Sequence, residues 1–278
     1  NSGKKAIAVG NIGRAMSSVV NSIEKDTIIV AEVSSYQLEF TKDFAPDVAV
    51  ILNITPDHVS WHGSFENYVE SKWKISSKQS AKNLLILNSD DDELCRLKPT
   101  FAKTAKFGFK NVDWGIRIYD GKLIINFDNK QQKEEIMYSS ELSLPGIHNA
   151  YNSMAAALAA RAYEVSNEDI RDSLMSFKGV EHRLEKVDII NGVEYINDSK
   201  ATNINATWYA LSSFIKPLIW IAGGQGDNND YSVLDDYVQA NVKTIIAIGD
   251  EQQAIFDHYC TSKRVIKADS LEEALQLS

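Results

Sequence analysis

Apolar positions along the chain fall into short β-branched runs separated by stretches with helical spacing. Residues 27–33 (TIIVAEV) and 47–54 (DVAVILNI) are near-continuous apolar runs. That pattern predicts strands buried on both faces of a parallel sheet. A shorter run, 6–9 (AIAV), precedes them, and 83–88 predicts a further strand. Between these, 65–79 predicts a helix with Ser64 as N-cap, and 90–97 a helix opened by acidic residues. Residues 116–127 predict a hairpin around Asp120-Gly121. Residues 148–164 are Ala-rich and helical, and Asn167 is expected to cap another helix that Gly179 closes. Residues 1–178 therefore read as an α/β layer with a β-rich insertion near 105–145.

After Gly179 the pattern restarts. A hairpin is expected over 187–197 around Asn191-Gly192, then a helix at 205–214 and a strand at 218–222. A Gly-rich turn follows (Gly223-Gly224-Gln225-Gly226), then a helix at 233–240, a strand at 244–248 and a helix at 251–259. A strand at 264–267 and a helical pattern from Leu271 end the chain. Strands alternating with helices imply a doubly wound parallel sheet. The domain boundary is placed near 179, giving 1–178 and 179–278. No internal repeat is visible. The chain opens without Met and stops inside a helical pattern, so a piece of a longer protein is expected.

Composition narrows the class. The 278 residues suffice for about two domains with cores of their own. Hydrophobic residues make up 44% and charged residues 24%, which excludes a disordered chain or a coiled-coil rod. Lys+Arg is 29 against Asp+Glu 38, a formal charge of −9. A chain this acidic offers little counterion release, so no nucleic-acid partner is expected. The apolar runs are too short to span a bilayer, so no membrane partner is expected either. Cys95 and Cys260 are the only cysteines. They suit a reducing compartment and form neither a disulfide framework nor a zinc cluster. A cytoplasmic monomer is the expectation.

Several stretches carry chemistry. Glu32 ends a predicted strand, where open α/β sheets place ligands, and its carboxylate suits Mg²⁺. Asn53–His58 follows the next strand, and both loops are expected on one edge of the sheet. Asp57 and His58 would add an acid and an imidazole there. Taken alone, each could be a solvated loop residue, and Lys72 an ordinary charge on a helix. His148, Asn149 and Asn152 form a polar patch at a helix start, able to cap the helix or to meet an anion. Arg183 offers a planar fork for phosphate or carboxylate. Asn197-Asp198-Ser199-Lys200-Ala201-Thr202-Asn203 sets an acid, a lysine and two hydroxyls between a strand and a helix. Gly223–Gly226 does not match G-x-G-x-x-G and reads as a turn.

Seven of these stretches, in order, resemble the Mur ligase family. They are Gly10-Asn11-Ile12-Gly13, EVSSYQLE (32–39), NITPDHVSWHG (53–63), Tyr68 with Lys72, GIHNAYN (146–152), Glu181-His182-Arg183 and NDSKATNINAT (197–207). They cover almost the whole chain, and EVSSYQLE and NDSKATN are most similar to the D-glutamate-adding members. The resemblance implies a central ATPase-type parallel-sheet domain over 1–178 and a Rossmann-like α/β domain over 179–278, both partial. It also implies a UDP-binding domain and a phosphate-binding loop that these residues do not contain. No G-x-x-G-K-[ST] occurs in the 278 residues, so this chain alone is expected to be inactive.

The implied reaction joins D-glutamate to UDP-N-acetylmuramoyl-L-alanine at the expense of ATP, through an acyl phosphate, in peptidoglycan precursor synthesis. The resemblance makes Glu32, His58 and Lys72 the Mg²⁺ ligands of two sites, Lys72 as a carbamate. It makes Lys72, His58 and Lys200 catalytic. His148, Asn149, Asn152, Arg183 and Asp198 would bind ATP. Asn11, Ser34, Gln37, Lys200 and Thr202 would bind substrate. One position departs from the pattern: Asp227 stands where the D-glutamate-adding members carry a lysine, and it would repel a carboxylate of the acceptor. Another amide ligase of the superfamily, such as a folylpolyglutamate synthetase, and a non-catalytic sugar-nucleotide-binding relative remain as alternatives.

Overall fold

The computed structural model describes residues 3–97, 100–127, 133–226 and 229–278. Asp227 lies outside the described residues. The chain divides into two units, one of residues 1–143 and 149–177 and the other of 144–148 and 178–278.

The first unit opens with strands β1 (Ala6–Gly10) and β2 (Ile28–Glu32), helix α1 (Ser35–Glu39) and strand β3 (Val48–Ile51). Helices α2 (Val59–His62) and α3 (Phe65–Trp73), strand β4 (Leu84–Asn88) and helix α4 (Asp92–Arg96) follow. Four strands come next: β5 (Lys103–Gly108), β6 (Gly115–Tyr119), β7 (Lys122–Asn126) and β8 (Glu134–Tyr138). Helices α5 (Ile147–Ala162) and α6 (Asn167–Ser176) come last.

Strands β3 to β8 form one six-stranded sheet in that order. Pairing is parallel from β3 to β6 and antiparallel from β6 to β8. All five residues of β4 are buried, and its four apolar residues divide between two cores. Leu84 and Ile86 join Phe107, Ile116, Leu123, Met154 and Leu158, while Leu85 and Leu87 join Ala49, Ile51, Tyr68 and Leu94. Alternate side chains thus enter opposite layers, which is why this strand reads as unbroken apolar sequence.

The second unit holds the hairpin β9 (Glu185–Ile190) and β10 (Val193–Asn197), helix α7 (Ile204–Ser212) and strand β11 (Leu218–Gly223). Helix α8 (Asp235–Asn241), strand β12 (Val242–Ile248), helix α9 (Gln252–Tyr259), strand β13 (Arg264–Lys267) and helix α10 (Leu271–Leu277) complete it. Strands β11, β12 and β13 form a parallel three-stranded sheet with β12 in the middle. Its residues also alternate: Ile245 and Ala247 pack with Leu234, Val238 and Tyr259, whereas Ile246 packs with Ala268 and Ala274. Both units are α/β, as expected.

Both hairpin turns follow the expected chemistry. Asp120 and Gly121 have φ of 49° and 70°, and Asn191 and Gly192 have 52° and 83°. Two consecutive positive φ values match the twist of the flanking strands.

Other expectations need correction. Glu32 does not sit in the main sheet, because β1 and β2 pair with each other as a separate two-stranded sheet. The helix expected over 65–79 stops at Trp73 and tightens into a 3₁₀ turn over Lys74–Ser76. There the hydroxyls of Ser76 and Ser77 donate to the carbonyls of Trp73 and Lys74 and compete with helix propagation. Ser166, not Asn167, caps α6, its hydroxyl accepting the Asp169 amide at 3.1 Å. Gly179 does not close that helix: α6 ends at Ser176, and Phe177 is already extended. Helix α8 starts at Asp235, after a 3₁₀ turn over Tyr231–Leu234, rather than at 233.

Candidate active site

At Gly10, φ is 116°, and a Cβ there would lie 2.1 Å from the Glu32 carbonyl oxygen. Only glycine permits this approach of β1 to β2. It lets the Asn11 amide donate to that carbonyl at 2.8 Å, while the Asn11 side chain donates to the Glu32 carboxylate at 3.4 Å. Asn11 and Glu32 are therefore a pair, and the Glu32 carboxylate stays exposed.

Ser34 and Gln37 are tied to each other. The Ser34 hydroxyl accepts the Gln37 amide at 3.3 Å, and the Gln37 side-chain oxygen accepts the Ser34 amide at 2.9 Å. This is a capping box, which gives a five-residue helix a defined start. Both proposed substrate contacts thus already have a local role. The box sets the direction of α1, and with it the positions of Ser35 and Tyr36.

The second loop leaves β3 and is anchored at Ile54, whose amide donates to Asp91 at 2.9 Å. His58 has φ of 53° and precedes α2. An imidazole residue in the left-handed region is uncommon, and such strain gathers at functional sites. The Asp57 carboxylate accepts the His58 amide at 2.9 Å and lies 3.4 Å from Nδ1 of the ring. Gly63, at φ 79°, ends α2 at once, and Ser64 caps α3 as expected.

Tyr68 and Lys72 stand four residues apart on α3, hence on one face. The Lys72 ammonium lies over the Tyr68 ring, 5.0 Å from its centroid. His58 meets the same ring edge-on at 6.4 Å. Tyr36 packs 5.0 Å from the His58 ring, 5.2 Å from Trp61 and 5.6 Å from His62. The two loops therefore converge through Tyr36, although their strands belong to different sheets.

Burial lowers the pKa of Lys72, opposed by the nearby Asp57 carboxylate. Removing the ammonium from water favours the neutral amine. Burial pushes the Tyr68 hydroxyl up, with Asp57 and Tyr36 adding to the shift. Tyr68 stays a neutral phenol. Among the described residues, no three His, Cys, Asp or Glu side chains are grouped to hold a metal ion. Mg²⁺ commonly uses one or two carboxylates together with substrate phosphates, so the exposed Glu32 carboxylate is compatible with such partial ligation, whereas the His58 imidazole is a ligand more usual for softer metals. Their recorded contacts, Asn11 for Glu32 and Asp57, Tyr36 and Tyr68 for His58, do not join them to each other.

Sequence reading missed Ser35, Tyr36 and His62 and gave Tyr68 no role. The available signals were the four-residue spacings of His58 with His62 and of Tyr68 with Lys72.

In the second unit the candidates lie on the segments that enter and leave the β9–β10 hairpin, Arg183 before it and Asp198, Lys200 and Thr202 between it and α7. His182 and Leu184 have φ of 66° and 46°. Leu184 is costly there, because its branched side chain has no polar atom to satisfy the backbone. The Asp198 carboxylate accepts the Leu184 amide at 3.0 Å, and the Lys200 amide donates to the His182 carbonyl at 3.1 Å. Burial raises the pKa of Asp198, while the Leu184 amide and Arg183 pull it back. Arg183, Lys200 and Thr202 are exposed. Arg183, Asp198, Lys200 and Thr202 thus share one loop cluster built on backbone bonds.

The α5 residues divide between the units: His148 clusters with the second, Asn149 and Asn152 with the first. His148 packs 5.8 Å from the Tyr209 ring. Its Nδ1 is buried and has no hydrogen-bond partner among the described residues, and burial lowers its pKa. Asn152 is exposed one turn along.

These loops and sheets have counterparts among known proteins. The Mur ligase middle domain matches residues 12–160, more than half of the chain. The chain belongs to the Mur ligase family. A UDP-N-acetylmuramoylalanine–D-glutamate ligase of Salinibacter ruber is 40% identical over 262 residues, covering 91% of this chain and 56% of its own length. The protein of the same name from Acidobacterium capsulatum is 40% identical, covering 97% and 59%. The chain thus spans little more than half the length of the curated relatives it matches. Among solved structures, MurF from Acinetobacter baumannii superposes with a TM-score of 0.72 at 19% identity, covering 98% of this chain and 69% of that one. A MurF ligase from Thermotoga maritima in complex with ADP gives 0.68 at 16% identity, covering 99% and 73%. At these identities the likeness shows the fold.

Proposed function

We propose that this chain carries the central and C-terminal parts of an ATP-dependent amide ligase that joins D-glutamate to UDP-N-acetylmuramoyl-L-alanine. Residues 1–178 are assigned to the ATPase-type domain and 179–278 to the amino-acid-binding domain. The observation that carries the reading is the cluster of Asp57, His58, Tyr68 and Lys72, a desolvated amine beside an acid and an imidazole. Relatives bearing the ligase name at 40% identity support the choice of substrates.

Glu32, His58 and Lys72 would hold Mg²⁺, whose charge neutralises developing negative charge when phosphate is transferred from ATP. The chain's own residues supply positioning. Burial shifts Lys72 toward the neutral amine, against the pull of Asp57; that neutral form is the one that adds CO₂ to give a carbamate, and a carbamate offers oxygen ligands in place of an ammonium. Asn11 fixes the Glu32 carboxylate, and Tyr68 fixes the direction of Lys72. His148, Asn149, Asn152, Arg183 and Asp198 are assigned to ATP. Arg183 is suited to the phosphates by its planar fork. Ser34 and Gln37 are assigned to the sugar-nucleotide side, and Lys200 and Thr202 to the incoming amino acid. Holding acyl phosphate and amine together converts the second step into an effectively unimolecular attack. The protein is read as a cytoplasmic monomer. No helix among the described residues is long and apolar enough to cross a membrane.

The test is phosphate release by the full-length gene product with ATP, Mg²⁺ and UDP-N-acetylmuramoyl-L-alanine, across a panel of acceptor amino acids, with this chain alongside. Release with D-glutamate alone is expected. Release with another acceptor would replace the substrate and keep the reaction class. No release with any acceptor from a folded protein would overturn the reading.

A further inference from the structure

His62 is a buried polar residue beside the Lys72 cluster, with 9% of its surface exposed, and no role above uses it. Its Nε2 lies 3.0 Å from the Ser35 hydroxyl. Its Nδ1 faces the Glu39 carboxylate at 3.8 Å, and the Trp61 indole N–H donates to that carboxylate at 3.2 Å. The Ser35 carbonyl in turn accepts the Ser71 hydroxyl at 2.7 Å, and Ser71 immediately precedes Lys72. Asn67 donates to the His62 carbonyl at 2.8 Å. A continuous polar relay thus links α1, α2 and α3, the three short helices that follow Glu32, follow His58 and carry Lys72.

The ring faces add a second constraint. His62 packs 5.6 Å from Tyr36 and 5.5 Å from Tyr68. Those two rings also flank His58, and Tyr68 supports the Lys72 ammonium. The imidazole is both wedge and tie between them. Helices of four, five and nine residues have little stability of their own, so their mutual placement depends on such tertiary links. A buried imidazole is also expensive to leave unpaired, so the relay selects one arrangement over its neighbours.

We propose that His62 is a positioning residue: through Ser35 and the Tyr36 and Tyr68 rings, it sets the orientation of Lys72 and His58 against each other. The placement stands on contacts in this chain. Its consequence for catalysis rests on the ligase reading.

The test reads the placement directly. Protons held over an aromatic face resonate upfield, so the ε-CH₂ group of Lys72 should give an upfield-displaced cross-peak in protein labelled with ε-¹³C-lysine, assigned through Lys72→Arg. His62→Gln keeps an amide within reach of Ser35 and should retain most of the displacement. His62→Leu keeps bulk without hydrogen bonds, and its Lys72 signal should fall back among the exposed lysines while circular dichroism stays unchanged. Ser35→Ala removes the hydroxyl but leaves the carbonyl that Ser71 uses, and should give an intermediate loss. A folded His62→Leu protein with an undisplaced change, its Lys72 signal as in the wild type, would overturn the proposal, as would equal loss in the Gln and Leu variants. Should His62→Leu fail to fold, Ser35→Ala decides, and an unmoved signal there overturns it. Failure of the ligase reading would show as absent phosphate release and would leave this signal untouched.

Discussion

Lys72 and Lys200 are both assigned to chemistry, yet they are held in different ways. Lys72 lies over a buried tyrosine, loses solvent, and has its amine pKa lowered by burial. Lys200 is exposed, and the bond that locates it runs from its backbone amide to His182. Around Lys72 the organising contacts are between side chains: Tyr36, His58, His62 and Tyr68 touch ring to ring. Around Lys200 they are backbone contacts, with strained φ at His182 and Leu184 and the Asp198 carboxylate on the Leu184 amide. The first region is preorganised by packing, which suits a group whose protonation must be controlled. The second leaves its charged ends in water, which suits groups that meet a small polar ligand and release it.

The largest expected effect tests the packing side. Tyr68→Ala removes a ring that is 4% exposed and serves four neighbours. It should destabilise the first unit by about 3–4 kcal/mol, as large-to-small aromatic core changes do. Denaturant unfolding should show this loss in one transition, with the second unit's transition unmoved if the two unfold separately. A loss below about 1 kcal/mol would mean that the ring does not organise the cluster.

Asp91→Ala is next. Its carboxylate caps α4 at the Leu94 amide and holds the Ile54 amide that anchors the His58 loop. A loss of about 1–2 kcal/mol is expected, at the upper end for a helix cap because a second amide is stranded. Chemical denaturation checks it.

Lys72→Met should cost no stability and should raise the melting temperature, since a desolvated ammonium is replaced by an apolar chain of similar shape. Thermal melts read the sign. A fall would show that the ammonium over Tyr68 is a net stabiliser.

His148 tests pH dependence. Its folded pKa lies below the ordinary 6.5, so the unfolded chain binds a proton that the folded chain refuses. Stability from this group is complete above about 6.5 and is lost as pH falls through that value. Melting temperatures should drop between pH 7 and pH 5.5, and His148→Asn should flatten that slope. An unchanged slope would remove His148 from the account.

The smallest effects belong to the exposed loop. Lys200→Ala and Thr202→Ala should each change stability by less than about 0.5 kcal/mol. Isothermal denaturation of the pair, set beside Tyr68→Ala, sharpens the contrast most directly.

Much of the architecture is legible in the pattern of the sequence. The apolar run at β4 and the turn pairs Asp120-Gly121 and Asn191-Gly192 are strong local signals that the fold obeys. Element ends were less legible, because Ser76 and Ser77 turn backbone bonds away from a helix that the apolar spacing alone would continue. The separate sheet of β1 and β2 was hidden because strand pairing is non-local, and a buried run does not name its neighbour. In the site, charged and motif-bearing residues such as Glu32, His58 and Lys72 could be singled out. The rings that hold them could not, since Tyr36 and His62 read as ordinary amphipathic positions until the helices are folded together.

The Asn191-Gly192 turn has a consequence for how the protein ages. Asn-Gly is the pairing in which the following amide nitrogen most readily attacks the asparagine side chain and expels ammonia, because glycine offers no steric hindrance. This is the single Asn-Gly in the 278 residues, and it sits exposed at the tip of the β9–β10 hairpin. The succinimide opens mainly to isoaspartate, which reroutes the main chain through an extra methylene at the point where two left-handed residues set the strand register. In stored protein the clock of chemical ageing therefore runs first at this tip, and each event adds one negative charge to a chain already at −9.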